Sequence, residues 1–188
     1  MTHRPQRPGT HDHIFNAPRT REMLRVDHAG EFAAVAIYKA QAKIFGRSPK
    51  TRDIAAEMSR MQNEEQEHLD TFSELLRKNE ARPTAMLPLW SLASTALGAS
   101  TALMGEKAAH ACTEAVETVI EQHYAEQISE TQHTDPELAA TFTKFRDDEL
   151  RHRDFAVEEG AKEAPAYPLL TAVIKAGCRA AIKISEKI

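Results

Sequence analysis

The residues of this chain best suited to metal or acid–base chemistry come in a repeated arrangement. E-E-Q-E-H runs from Glu64 to His68, and D-E-L-R-H from Asp148 to His152. Each stretch sets a glutamate three residues ahead of a histidine, with a second acid directly before the glutamate. On a helix, residues at that spacing share one side and lie about 4.5 Å apart along the axis, so a carboxylate and an imidazole reach one centre. In a chain with 28 acids and 9 histidines a single copy would pass as surface charge. A second copy, again among apolar neighbours, asks for a common purpose.

The neighbours sharpen the question. Glu65 shares its helical stripe with Met58, Met61, Leu69 and Phe72, and Glu149 shares its own with Phe142, Phe145 and Ala156. Glu31 lies with Leu24, Ala34, Val35 and Tyr38, at the spacings of one buried face. In the segment preceding Glu149, three acids compete: Glu114, Glu117 and Glu121. Of these, Glu117 is the one flanked on its stripe by Val116, Ile120 and Tyr124. Buried carboxylates without partners are costly, and four facing one another repel, so a cation must sit among them. Two plain glutamates and two Glu-x-x-His pairs form the inward ligand set of ferritin-like dinuclear carboxylate bundles. Four carboxylates neutralise two divalent cations. Oxygen donors with two imidazoles and no thiolate favour iron or manganese over zinc. A metal-bound imidazole usually donates its outer N–H to an acid or carbonyl. Asp148 is therefore expected to orient His68, and Glu64 to orient His152, each across the bundle.

Helices must position these groups, and the punctuation outlines them. Pro18 suits a first helical turn, and the pattern from Arg19 is helical to about Phe45, where Gly46 ends it. Ser48-Pro49 opens a second helix, to about Asn79. A third runs from about Glu106 to Gln132, and Asp135-Pro136 opens a fourth, to about Gly160. The chain thus reads as two antiparallel hairpins, each ordered Glu then Glu-x-x-His, each supplying half a centre. Between them Ala81–Gly105 has no charge after Arg82, too long a stretch for a structureless loop. A membrane span, a buried crossover helix and a crossover helix lying on a membrane are the three readings of it. After Pro165 and Pro168 comes a last amphipathic helix, with Lys175, Arg179, Lys183 and Lys187 four apart on one stripe. Such a basic stripe suits a membrane surface or an anionic ligand. The expected fold is all-α, a ferritin-like four-helix bundle of two helical hairpins with an apolar crossover helix and a C-terminal amphipathic helix.

Composition agrees and excludes. Few glycines and aromatics fit helices better than sheets. A formal net charge of −4 argues against nucleic acid as a partner. Cys112 and Cys178, in apolar contexts with no C-x-x-C, read as buried reduced thiols. Residues 1–18 read as a disordered basic tail without a secretory apolar run, and 19–188 as one ferritin-like domain. His3, His11, His13, His110 and His133 are assigned to the tail or the surface.

The motifs in their order resemble the demethoxyubiquinone hydroxylase family, the di-iron enzymes of ubiquinone biosynthesis. They are L-R-V-D-H-A-G-E (Leu24–Glu31), E-Q-E-H-L (Glu65–Leu69) and R-P-T-x-M-x-P-L-W (Arg82–Trp90), then A-C-T-x-A-V-E (Ala111–Glu117) and H-Y (His123, Tyr124). F-R-D-x-E-L-x-H (Phe145–His152), A-P-A-Y (Ala164–Tyr167) and A-G-C-R (Ala176–Arg179) follow. The resemblance implies Glu31, Glu65, His68, Glu117, Glu149 and His152 as ligands of two iron ions, with Glu65 and Glu149 bridging. It selects Glu117, since the family motif asks for no acid at Glu114 or Glu121. Phe32 stands where the family more often has tyrosine, a change that removes no ligand.

The implied reaction is O2-dependent hydroxylation of a polyprenylated methoxy-methyl-benzoquinol, one oxygen atom entering the ring and the other leaving as water. By the same resemblance His123 and Tyr124 are candidates for an electron or proton relay, and NADH or another external reductant could bind near Arg179. The isoprenoid tail must stay in lipid, so the apolar crossover would dock the protein on the inner membrane, at the cytoplasmic face in a bacterium or the matrix face in a mitochondrion. A lipid-binding accessory protein of the ubiquinone pathway and a homo-oligomer complete the partners considered. The rival readings are a ferritin-like iron-handling or peroxidase protein and a metal-free docking scaffold.

Overall fold

Proline, glycine and capping residues set the helix ends close to where the sequence places them. In the computed structural model, which describes residues 17–188, the elements are α1 (Ala17–Phe45), α2 (Arg52–Lys78), α3 (Leu87–Leu103), α4 (Glu106–Thr131), α5 (Pro136–Glu158) and α6 (Tyr167–Ser185). No strand occurs among the described residues. His3, His11, His13 and most of the expected basic tail lie outside them; Ala17 and Pro18 already belong to α1.

Ser48 accepts a hydrogen bond from the Lys50 N–H, as a capping serine should, yet what it opens is a single 3-10 turn, Pro49–Thr51, and α2 follows at Arg52. Asp135 caps α5 by accepting from the Leu138 N–H at 3.0 Å, with Pro136 at the first helical position. Gly160, after the end of α5, adopts φ +88°, a left-handed conformation that glycine enters without strain.

α1 packs along α2 and α4 along α5, giving the two hairpins. Large side chains fill the bundle at the N-terminal end of α1: Leu24, Phe72, Leu76, Tyr124, Phe142 and Phe145. Met58, Met61, Tyr38 and Phe45 fill it at the other end. The acid and imidazole groups occupy the level between. α3 lies across α1, and α6 against α4, so both helices flank the same side of the bundle. The indole N–H of Trp90 donates to Ser185 Oγ at 3.0 Å and ties the start of α3 to the end of α6. α3 approaches α1 closely through Gly98: a Cβ there would meet the Ile37 carbonyl oxygen at 2.4 Å.

The crossover forms the helix α3. Among the described residues no helix is long and apolar enough to cross a membrane. Nor is α3 fully buried. Ser94, Gly98, Thr101 and Ala102 face inward, while Leu92 is 70% exposed and Leu103 72%.

Candidate metal centre

Helical register brings all six acid and imidazole groups to one level. α1 presents Glu31, α2 Glu65 and His68, α4 Glu117, and α5 Glu149 and His152; each is at most 3% exposed. They form two clusters, Glu31–Glu65–His68–Glu149 and Glu65–Glu117–Glu149–His152, each with its ligand atoms within 4.8 Å of one another. Glu65 and Glu149 belong to both.

The fine geometry suits cations between these groups better than direct bonds among them. His68 Nδ1 stands 3.2 Å from Glu149 Oε1, 3.4 Å from Glu65 Oε2 and 3.5 Å from Glu31 Oε2. Despite that proximity it makes no hydrogen bond, because the angles are wrong. One carboxylate oxygen of each of Glu31, Glu65, Glu117 and Glu149 is likewise buried without a partner. So many orphaned acceptors around a shared centre are what ions between them would satisfy. The donor set, carboxylate and imidazole without thiolate, fits iron or manganese; Cys112 and Cys178 pack elsewhere, near Ile37 and Ile174.

The outer nitrogens settle which ring atom faces inward. His68 Nε2 lies 3.1 Å from Asp148 Oδ2, and His152 Nε2 lies 2.5 Å from Glu64 Oε2. Each acid holds the imidazole of the opposite hairpin, as the sequence led us to expect. With the proton on Nε2, the Nδ1 lone pair points into the cluster. Arg151 is exposed, but its guanidinium reaches Asp148 at 2.6 Å, and Arg60 reaches Glu64 at 2.5 Å. The two halves thus share one outward order, imidazole then acid then arginine, and Arg151, given no role by the sequence, acquires one. Replacing Asp148 or Glu64 by alanine is expected to lower metal affinity by roughly 10- to 100-fold. Competition with a chelator measures it; unchanged affinity in both variants would assign the acids to the surface.

Two tyrosines complete the symmetry. Tyr38, seven residues after Glu31, donates to Glu117 at 2.5 Å, and Tyr124, seven after Glu117, donates to Glu31. Each phenol crosses the bundle to the other hairpin's glutamate. Burial, joined by the neighbouring carboxylates, holds both phenols well above their ordinary pKa, so they remain donors. Tyr38 was placed on the Glu31 stripe by the sequence without a function; the matching seven-residue spacing in the two halves was the signal for it.

Burial also raises the Glu31 carboxyl to about 7 and pushes Glu117 well above the carboxylate range, with neighbouring glutamates adding to both. His152 is opposed by its own burial, but its close contacts with Glu149 and Glu65 carry it to about 12, and His68, also opposed by burial, is raised by the nearby carboxylates of Glu149, Glu31 and Glu65. In the absence of metal, protons take over the balancing of charge.

Other residues of interest are distributed as follows. Glu114 accepts from the Tyr167 hydroxyl at 2.6 Å and pairs with Lys175 at 3.5 Å, while Glu121 lies 3.8 Å from Arg153. Both rivals of Glu117 therefore point away from the centre. His123 turns from Tyr124 towards Asp27, 3.4 Å from its Oδ1, which also accepts from Gln127 at 2.8 Å. Sequence reading missed Asp27, whose only signal was a charge on a buried face of α1. Arg179 is exposed on α6, as is Lys183, whereas Lys175 and Lys187 at the ends of the stripe approach Glu114 and Glu22. His133 is exposed as expected. His110 is not: it is 4% exposed, because its position two turns before Glu117 carries it to the inner face of α4. His28 is also buried.

Beside the centre, a cavity of ≈ 340 Å³ lies between α1, α3, α4 and α6. Gly30, Ile37, Leu97, Val116, Ile174 and Cys178 are among its overwhelmingly apolar lining. Gly30 and Val116 adjoin Glu31 and Glu117 in the chain, so the cavity reaches the level of the metal-facing acids.

A bundle with this set of carboxylates and imidazoles turned inward has the ferritin-like architecture, and its buried cluster suits a metal site. Comparison with known proteins narrows the class. Residues 18–185 match the family described as ubiquinone biosynthesis protein COQ7, and the chain belongs to that family. It is 43% identical over 183 residues to the human "NADPH-dependent 3-demethoxyubiquinone 3-hydroxylase, mitochondrial", covering 95% of this chain and 82% of that one. It is 46% identical over 165 residues to the "3-demethoxyubiquinol 3-hydroxylase" of Rhodospirillum rubrum, covering 88% and 76%. The "5-demethoxyubiquinone hydroxylase, mitochondrial" of Saccharomyces cerevisiae is 37% identical over 182 residues, covering 88% and 77%. The human relative's name puts NADPH where the sequence reading put NADH.

Proposed function

We propose that this chain hydroxylates the ring of a polyprenylated methoxy-methyl-benzoquinol, a demethoxyubiquinol, in ubiquinone biosynthesis. The observation that carries the reading is the apolar cavity running alongside two fused carboxylate–imidazole clusters. Glu31, His68, Glu65 and Glu149 would hold one iron ion, and Glu117, His152, Glu65 and Glu149 the other. The bound pair supplies the activation of O2, which reacts slowly with closed-shell organic molecules by itself. Overall, O2, two electrons and one proton from a reduced nicotinamide, and one proton from solvent convert a ring C–H to C–OH and release one water.

The chain's own residues then have separable tasks. The cavity walls receive the quinol ring and exclude water through aliphatic contacts. Tyr38 and Tyr124 keep a proton on the inner face of Glu117 and Glu31. His123, held by the buried Asp27 of α1, and Tyr124 next to it are positioned as a relay for electrons or protons. Tyr124→Phe is expected to slow reductant-driven turnover about tenfold or more while leaving metal content intact; full turnover in the variant would end the relay proposal. Arg179 and Lys183 offer exposed positive charge near the cavity for an anionic reductant such as NADPH.

The side of the bundle formed by α3 and α6 would rest on the inner membrane. The exposed large hydrophobic side chains of the described residues, Leu89, Leu92, Leu103, Met104, Leu169 and Val173 among them, belong to these helices and their ends. Such a patch marks an interaction surface. Flotation with anionic liposomes should carry the wild-type chain and release a Leu92→Glu, Val173→Glu form; equal flotation of both would remove this face from the membrane.

The activity itself is tested with the purified, iron-loaded protein, a demethoxyquinol, NADPH and 18O2. One 18O atom is expected in the new ring hydroxyl. Consumption of O2 or peroxide with no hydroxylated product would favour the iron-handling reading.

A further inference from the structure

Two cavities of equal size differ sharply in their walls. One of ≈ 340 Å³ opens at the end of the bundle, about two turns along α4 from Glu117, where charged residues such as Asp53, Glu106 and Glu159 line it. The other, also ≈ 340 Å³, is the lateral cavity between α1, α3, α4 and α6, with its almost wholly apolar wall. Protein interiors are close-packed, so an apolar void of this size is not slack. About 150 Å³ of such space already takes up benzene. The lateral cavity therefore has room for a ring that carries substituents.

Missing side chains at two helical positions keep it open. Gly30 on α1 and Gly177 on α6 both line it. Neither has the positive φ of Gly105 or Gly160. Glycine is a poor helix former, so two glycines in helix interiors need some other reason. Close packing is not that reason. A Cβ at Gly98 would collide with the Ile37 backbone, whereas a Cβ at Gly30 or at Gly177 would meet nothing within 4 Å. Gly30 is half-buried and directly precedes Glu31, while Gly177 is exposed and stands where the cavity meets the surface.

The α3 wall adds a polar group. α3 runs parallel to α1, for Gly98 lies on Ile37, and further along Gln41 Nε2 donates to Thr101 Oγ1 at 3.2 Å. One turn back on both helices, Ser94 comes level with Ala33, about 3 Å along the axis from Glu31. Ser94 is 8% exposed and lines the cavity. Of the two serines in the lining, Ser185 accepts from the Trp90 indole, while the Ser94 hydroxyl has no partner among the described residues. A buried hydroxyl is costly until it is bonded, so the matching occupant carries oxygen. We propose that Gly30 and Gly177 determine which rings this protein accepts. Gly177 leaves the mouth open, and Gly30 leaves bare backbone beside Glu31 for the substituted edge of a quinol whose ring oxygen bonds to Ser94. The proposal rests on the reading of the lateral cavity as the quinol site.

The test measures binding by calorimetry, without oxygen, on the full metal-loaded chain. The ligands are a prenyl-benzoquinol with its ring methoxy and methyl groups and the same quinol without them. The wild type is expected to bind both. Gly30→Leu should bind the methoxy-methyl form at least about tenfold more weakly, the scale of one misfitting methylene in a hydrophobic pocket, and lose less for the unsubstituted ring. Gly30→Ala should show the same order with smaller losses. Gly177→Leu should weaken both quinols alike, and so should Ser94→Ala, since both keep the ring oxygens. Metal content should equal that of the wild type in every form, and the glycine variants should melt no lower, because their new side chains enter open space. Leucine variants that bind both quinols as the wild type does overturn the proposal and leave the cavity as the quinol site. A Gly30→Leu form that loses its fold or its metal assigns Gly30 to packing and overturns the proposal as well. A wild type that binds neither quinol refutes the cavity as the quinol site, and with it the functional reading.

Discussion

Glu149→Ala is expected to empty the centre: metal content should fall from two ions per chain to roughly a tenth of that, and hydroxylation by about a thousandfold or more, well beyond the loss typical of an outer-shell acid. The reason is topological. Glu149 is fully buried and belongs to both clusters, so its loss removes a ligand from each ion and leaves three carboxylates for two divalent charges. Helicity should survive, while the metal-free variant should melt below the metal-free wild type, because His68 and His152 each lose a buried acid partner. Retention of both ions and full turnover by Glu149→Ala would refute the centre.

The second large effect is a reversal of pH dependence between metal-loaded and metal-free protein. Glu31 titrates near 7 in the folded chain against an ordinary 4.5. Between those values the folded form keeps a proton that the unfolded form has released, so metal-free stability falls as pH rises through the window. The upward shift of Glu117 has the same sign. His152, raised from 6.5 to about 12, and His68, raised likewise, add stability that is complete below pH 6.5 and is lost as pH climbs towards their folded values. Each resolved shift among the six groups thus makes the metal-free chain weaker in alkali. Metal and protons compete for the same atoms, so the stabilisation by metal grows with pH. At a free metal concentration a thousandfold above the dissociation constant it amounts to about 4 kcal/mol. For a chain of this size that is roughly 8–16 °C in melting temperature. The gap between loaded and chelated protein should be near that value at about pH 8 and less than half of it at about pH 5.5. No gap at any pH would mean that the clusters hold no metal, and a gap independent of pH would mean that metal and protons do not compete for the same atoms.

Much of the architecture was legible because it rests on local rules. Ser48-Pro49, Asp135-Pro136, Gly46 and Gly160 act on the backbone within a few residues, and the helix ends fell within about three residues of them. The exception, the 3-10 turn at Pro49–Thr51, shows a cap that closes one tight turn before the α-helix begins. The six inward groups were legible for a related reason. An acid at a core position of an amphipathic stripe is anomalous without its partner, and two copies of the anomaly point to each other.

Partners reached across the bundle were harder to read. The exchange of Asp148 and Glu64 between hairpins could be anticipated, since a metal-bound imidazole needs an outer acceptor. Which ring nitrogen faces inward could not, because it follows from where the opposite helix sits. Tyr38, Asp27 and Arg151 gained roles only through contacts made between helices or from an exposed turn to a buried ring. His110 went the other way, from an assumed surface residue to a buried one, since α4 is covered nearly all round by its neighbours and no single polar face survives.

By itself, then, the sequence determined the helices and their pairing into hairpins, and it pointed to the acids and imidazoles that turn inward, because periodicity and the cost of burying charge act within each helix. Tertiary structure alone decided that α3 and α6 enclose an apolar cavity beside those groups, that the crossed tyrosines lock two of them, and that a polar cavity opens two turns above. Those features depend on the distances between helices far apart in the chain, which side-chain packing sets and residue spacing does not encode.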